Sequence, residues 1–238
     1  YSIEDSPGMW VFQNYVLGDE KFAAYYELPP RVTGDGLLEA LDKPLMNATG
    51  TERVLRARAV GEVHPGIYTA RPSLAPAEAI GARRGYTPEA EIACQIVGLD
   101  DLPVMGFGKL RWMAERVGRT GSQVVKPSPV HSMAAMAAAR TGLELESIKA
   151  ALAVERGGYL RYPLTACAGE TVHVFEDSTN SLGAVKKAVA ELNRLGLRLT
   201  LTCHGIAPQG SPKRETLATE ADFIHADIND GVLQVLGD

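Results

Sequence analysis

Cysteine is scarce in this chain. Its three thiols, Cys94, Cys167 and Cys203, form no CxxC pair and leave one odd member. That argues against a disulfide framework or a zinc site and makes a reducing cytoplasm the expected setting. Long apolar runs are missing as well: no uninterrupted stretch reaches the length of a membrane span, so no membrane partner is expected. Surplus positive charge is also absent. At a net charge of −5 there is no excess of Lys and Arg to neutralise phosphates, which excludes a generic nucleic-acid binder but leaves room for a local cationic pocket. The opening Tyr1-Ser2-Ile3-Glu4-Asp5 has no basic region followed by an apolar one and does not read as a signal peptide. It lacks an initiator Met, so residues upstream of Tyr1 are expected. No internal repeat or low-complexity tract is evident.

What is present is ordinary for a globular protein: 45% hydrophobic and 22% charged residues over 238 positions, enough for one sizeable α/β domain. Short apolar runs predict buried strands at Gly66-Ile67-Tyr68, Val124-Val125, Val172 to Phe175, Leu197 to Thr202 and Phe223-Ile224. Helical signals lie between them. Thr87, Pro88, Glu89 and Glu91 form a helix start, continued through Ile92, Ile96 and Val97 to an exit at Gly98. Val185, Ala188, Val189, Leu192 and Leu195 share one face ahead of Gly196, and a further helix is expected near Lys213 to Thr219. The Ala-rich run from Met133 to Ala139 predicts a closely packed helix. This alternation predicts βαβ units, hence a three-layer, Rossmann-like domain with a mostly parallel sheet.

In such sheets ligands sit beyond the carboxyl ends of the strands. The polar residues after the apolar runs are Asp5, Thr69, Lys126 and the pair Glu176-Asp177. Two carboxylates in one crevice favour a divalent cation between them, and oxygen ligands select Mg²⁺. The lysine and hydroxyl could hold an anionic group against that ion.

The same residues carry a family resemblance. Ile67-Tyr68-Thr69, Lys126-Pro127-Ser128-Pro129 and Phe175-Glu176-Asp177-Ser178 resemble, in order, the second, third and fourth motifs of the haloacid dehalogenase-like hydrolases. Leu182 and Ala184 stand at the apolar and small positions of the fourth motif, and Lys213-Arg214 with Ala221 to Ile224 resembles the family's tail. The counterpart of its first motif is Asp5-Ser6-Pro7-Gly8-Met9.

The resemblance implies a hydrolase acting through an aspartyl intermediate on a small, phosphorylated metabolite. Asp5 would be the nucleophile, Thr69 would bond the transferring group, and Lys126 would orient Asp5. Mg²⁺ would be held by Asp5, the Pro7 carbonyl and Asp177, supported by Glu176. Two departures stand out: Pro7 replaces the family's acid/base Asp, and Ser181 replaces its usual Gly. Pro7 keeps a carbonyl but cannot transfer a proton. The alternative is therefore a catalytically weak or inactive member with a ligand-binding or structural role. A hairpin-like flap over Met9 to Leu17, a small helical cap within about 10–60 and an insertion at about 143–170 complete the expected layout.

Other features carry bland readings. Gly106-Phe107-Gly108-Lys109 lacks the full phosphate-loop pattern and reads as a turn into a helix. Arg71, Arg83 and Arg84 read as solvated. Cys203-His204 follows an expected strand and could face the crevice, whereas His64, His131, His173 and His225 show no ligand-like spacing and read as structural.

Overall fold

Parallel pairing runs through both sheets of the molecule, described here from a computed structural model over residue 3 and residues 6–79 and 85–237. Strand β1 (Ile67–Tyr68) pairs with β2 (Val104–Met105). Strands β3 (Thr171–Glu176), β4 (Thr200–Ile206) and β5 (Phe223–His225) form a second sheet in that order. The helices are α1 (Pro7–Leu17), α2 (Asp19–Tyr26), α3 (Leu37–Leu41), α4 (Ala48–Ala59), α5 (Glu89–Val97) and α6 (Phe107–Arg116), then α7 (Pro129–Thr141), α8 (Glu144–Glu155), α9 (Thr179–Arg194), α10 (Lys213–Leu217) and α11 (Ile228–Leu236). The chain is thus α/β with parallel sheets, and this is compatible with a Rossmann-like fold.

The amphipathic pattern of α9 places Leu182, Val185, Ala188, Val189 and Leu192 inward, where they meet Val174 of β3 and Cys203 of β4 in the main core. Helix α7 joins the parts. Its run of alanines lets it pack closely on α8, α9, β1 and β2 at once. Helix α8, inside the segment expected as an insertion, buries Ile148, Ala150, Ala151 and Leu152 in that same core. A smaller core of Leu17, Phe22, Tyr26 and Leu38 seats α1 to α3 against Ile92 of α5. Helix α4 packs on α11 through Val54 and Val232.

Three expectations are corrected. Val124-Val125 is a turn, not a strand. Thr120 and Gln123 form a capping box around a short 3₁₀ turn (Gly121–Gln123), and the Val124 and Val125 amides both donate back to the Gly121 carbonyl. Val124 is buried, so its apolar character reflects the core and not a sheet. The Met9 to Leu17 stretch is helix α1, not a hairpin. Ser6 caps it by accepting from the Met9 amide, and Pro7 occupies a first-turn position where its missing N–H costs nothing. Strand β4 begins at Thr200 rather than Leu197 and continues through Cys203 and His204, because neighbours on both edges extend its ladder. Cys203 and His204 consequently face opposite sides of the sheet.

The start of α6 shows how tightly loops are set around these strands. A Cβ on Gly108 would lie 2.0 Å from the Ser73 carbonyl oxygen, and the Gly108 amide donates to Ser73 Oγ at 2.9 Å. Gly8, in the first turn of α1, has nothing within 4 Å of its Cβ position. In urea unfolding, Gly108→Ala should lose about 1–3 kcal/mol. Gly8→Ala should be neutral or gain up to about 1 kcal/mol.

Candidate functional site

The Lys126 ammonium lies 2.5 Å from Glu176 Oε1 and 4.3 Å from the centroid of the Tyr68 ring. These groups end β1, precede α7 and end β3, so segments far apart in sequence meet at one edge. Each is fixed by local structure. Lys126 sits one turn ahead of α7, where Ser128 caps the helix by accepting from the Val130 amide and Pro129 opens it. The Lys126 amide donates to His131 Nδ1, and His131 Nε2 donates to the Met105 carbonyl, tying the lysine's backbone to the end of β2. Tyr68 donates its hydroxyl to the Ser181 carbonyl at the start of α9 and packs edge-on against the His131 ring.

Burial sets the energetics. The Lys126 and Glu176 side chains are only 19% and 8% exposed, so their charges are mutually compensated in a poorly solvated place. Burial, with the Glu176 carboxylate beside it, pushes the Tyr68 phenol well above its usual range. Burial drives His131 down to about 4, so the ring is neutral with the tautomer its two partners require.

Thr69 ends β1 half-buried. Its amide donates to the Met105 carbonyl and its hydroxyl accepts from the Arg71 amide, leaving the O–H able to donate elsewhere. Arg71 pairs with Asp42. Asp177 is exposed and faces Lys213 of α10 at 3.0 Å, a contact too solvated to contribute much stability. From the sequence Lys213 reads only as part of the tail; its position at a helix start after β4 is the signal it offers. Pro7 is exposed on α1, whose main packing partners are α2 and α3. Asp5, Arg83 and Arg84 lie outside the described residues.

The structure therefore brings together Lys126, Glu176 and the Tyr68-Thr69 strand end, with Asp177 adjoining Glu176 in sequence. Among the described residues no group of three or more His, Cys, Asp or Glu side chains could hold a metal. The two carboxylates at this edge each face a lysine, and the Pro7 carbonyl belongs to the first turn of a helix. The described donors alone do not make a Mg²⁺ site.

Two loop features resolve as structural. Lys109, in the first turn of α6, is buried against the Val104 carbonyl and pairs with Glu144 at 2.6 Å. Thr87 bonds the Glu89 carboxylate rather than capping α5, while Gly98 ends that helix in the left-handed conformation expected. A groove of about 710 Å³ between α4 and α5 is lined by Met46, Leu55, Ile96 and Val97 and by none of the strand-end residues.

Lys126→Met strands a buried carboxylate and should cost about 3–5 kcal/mol in urea unfolding. Adding Glu176→Leu should recover much of it. A loss below about 1 kcal/mol for the single variant would mean the pair is solvated. His131 gives a separate pH signature. Its folded value lies below the ordinary 6.5, so its stabilising contribution is complete above pH 6.5 and lost as pH falls toward 4. His131→Gln should flatten the stability profile across that window.

Among the described residues no helix is long and apolar enough to cross a membrane. No family model, curated protein or solved structure matches the chain.

Proposed function

We propose that the chain is a haloacid dehalogenase-like hydrolase that acts on a small phosphorylated metabolite bound where β1 and β3 end. One juxtaposition supports the reading above all: Tyr68, Lys126 and Glu176, from the three segments that resemble the second, third and fourth motifs, are in contact. Ligands of parallel α/β sheets bind at this end of the strands.

The described residues have definite tasks in that reaction. Lys126 spends one of its three N–H donors on Glu176 and keeps two for a phosphoryl oxygen. The Thr69 hydroxyl donates to another. Asp5 would attack phosphorus through a carboxylate oxygen. The bond to the leaving oxygen breaks, that oxygen keeps the electron pair and takes a proton from water, and a second water hydrolyses the aspartyl phosphate. Pro7 offers no acid to the leaving group, so leaving groups that need little protonation should react best. Mg²⁺ enters this reading only if Asp5 completes a donor set with Asp177.

A second reading, a catalytically weak protein that binds such a ligand without turning it over, is favoured by a different observation. Both carboxylates are already matched by Lys126 and Lys213, so the edge can hold an anion without metal or chemistry.

Turnover separates the two. An aryl phosphate should be hydrolysed faster than an alkyl phosphate, and Pro7→Asp should raise alkyl phosphate hydrolysis by roughly a hundredfold. If neither the parent nor a folded Pro7→Asp hydrolyses any activated phosphate with Mg²⁺ present, the binding reading stands in place of the hydrolase. In titration calorimetry, Mg²⁺ should bind the parent more tightly than Asp177→Ala; equal affinities would remove the metal from the proposal.

A further inference from the structure

The second sheet carries a chain of imidazoles outside the site described above. His173 of β3, His204 of β4 and His225 of β5 lie on one face, with His173 Nδ1 3.1 Å from His204 Nε2 and His204 Nδ1 3.0 Å from His225 Nε2. Register produces this: Phe175 pairs with His204, which pairs with Phe223, and the neighbouring alternate residues fall on the same face. The Phe175 and Phe223 rings stack on His204 at 4.6 and 5.5 Å, and His204 is fully buried. His173, at the other end of the first contact, is exposed.

Helix α11 closes over this face. Gly231 approaches so near that a Cβ there would lie 2.9 Å from the Phe175 ring and 3.2 Å from His225 Cδ2. The charged groups acting on the chain are few. Asp230 of α11 and its cap Asp227 favour a proton on His225, and Arg214 of α10 opposes it. Asp222, in the turn entering β5, favours one on His204. Burial, then the neighbouring imidazoles, oppose it there and hold His204 down to about 4.

Proton counting then sets a threshold. Each of the two contacts needs one N–H and one lone pair, so of six ring nitrogens at most four can be protonated with both contacts intact. Three neutral rings already carry three protons. The chain therefore accepts one further proton without breaking, passed between the exposed His173 end and the His225 end under α11. A second added proton sets two N–H groups against each other at about 3 Å.

We infer that the His173–His204–His225 chain is an acid-sensitive latch: it stores one proton, and uptake of a second breaks an imidazole contact and releases α11 from the sheet. Because Phe175 immediately precedes Glu176, release of α11 also uncovers the strand that carries the candidate site.

Hydrogen exchange of the full-length protein, corrected for intrinsic rate, tests this. Protection of α11 should fall about tenfold per pH unit as pH drops from 6.5 to 4, for each net proton taken up on release, while α8 stays protected. Imidazole ¹⁵N NMR of the protected state should count no more than one added proton across the three rings. His204→Phe keeps the ring stack but removes both imidazole contacts, and should make the fall in α11 protection clearly shallower over that range. His225→Gln serves the same purpose if the first variant does not fold. Protonation of Asp227, whose carboxyl its cap bonds to the α11 amides hold below its ordinary value, loosens the helix only at lower pH and in every variant alike. The latch is overturned if the parent and a folded variant lose α11 protection along the same pH profile. It is equally overturned if α8 and α11 lose protection together.

Discussion

The ion pair between Lys126 and Glu176 is the contact on which the strand-end architecture depends. Two charges with little access to water are tolerable only together, so each fixes where the other can go. That requirement holds the end of β3, the turn before α7 and, through the Tyr68 ring, the end of β1 at one edge. His131 reinforces it by joining the Lys126 backbone to the end of β2 with a neutral ring. Among the described residues the two sheets share no ladder, and α7 with this polar cluster is what makes them one edge.

The same pair defines what the edge could recognise. Lys126 and Lys213 face Glu176 and Asp177, so the described part of the edge is close to neutral, and its remaining donors are the lysine N–H groups and the Thr69 hydroxyl. Donors of that kind suit a phosphoryl group, which accepts several hydrogen bonds and brings its own negative charge.

Sequence alone made the repeating parts legible. The single apolar face of α9, the run of β3 and the glycine exit of α5 each follow from short-range periodicity, and each stands where expected. The failures came where tertiary packing sets local structure. Val124 and Val125 look like a strand because they are β-branched and apolar, but the capping box at Thr120 and Gln123 closes the backbone into a turn. Strand β2 is two residues long and gives almost no periodic signal. The aromatic stretch of α1 suggested a flap because its helix start rests on Ser6 and Pro7 rather than on a clean apolar face. At the strand-end cluster, Thr69, Lys126 and Glu176 stand where short apolar runs end, although the run before Lys126 is a turn and not a strand. The histidine chain could not be read, since it depends on inter-strand register, which a single sequence does not display.

The most direct measurement of the central claim is a crystal structure of the protein soaked with Mg²⁺ and a metallofluoride that mimics a phosphoryl group in transfer. The account predicts density for the fluoride complex within hydrogen-bond distance of Thr69 Oγ1 and Lys126 Nζ, with the Asp5 carboxylate in line on its far side. Density elsewhere, or an Asp5 carboxylate on the opposite edge of the sheet from Lys126 and Glu176, would contradict it.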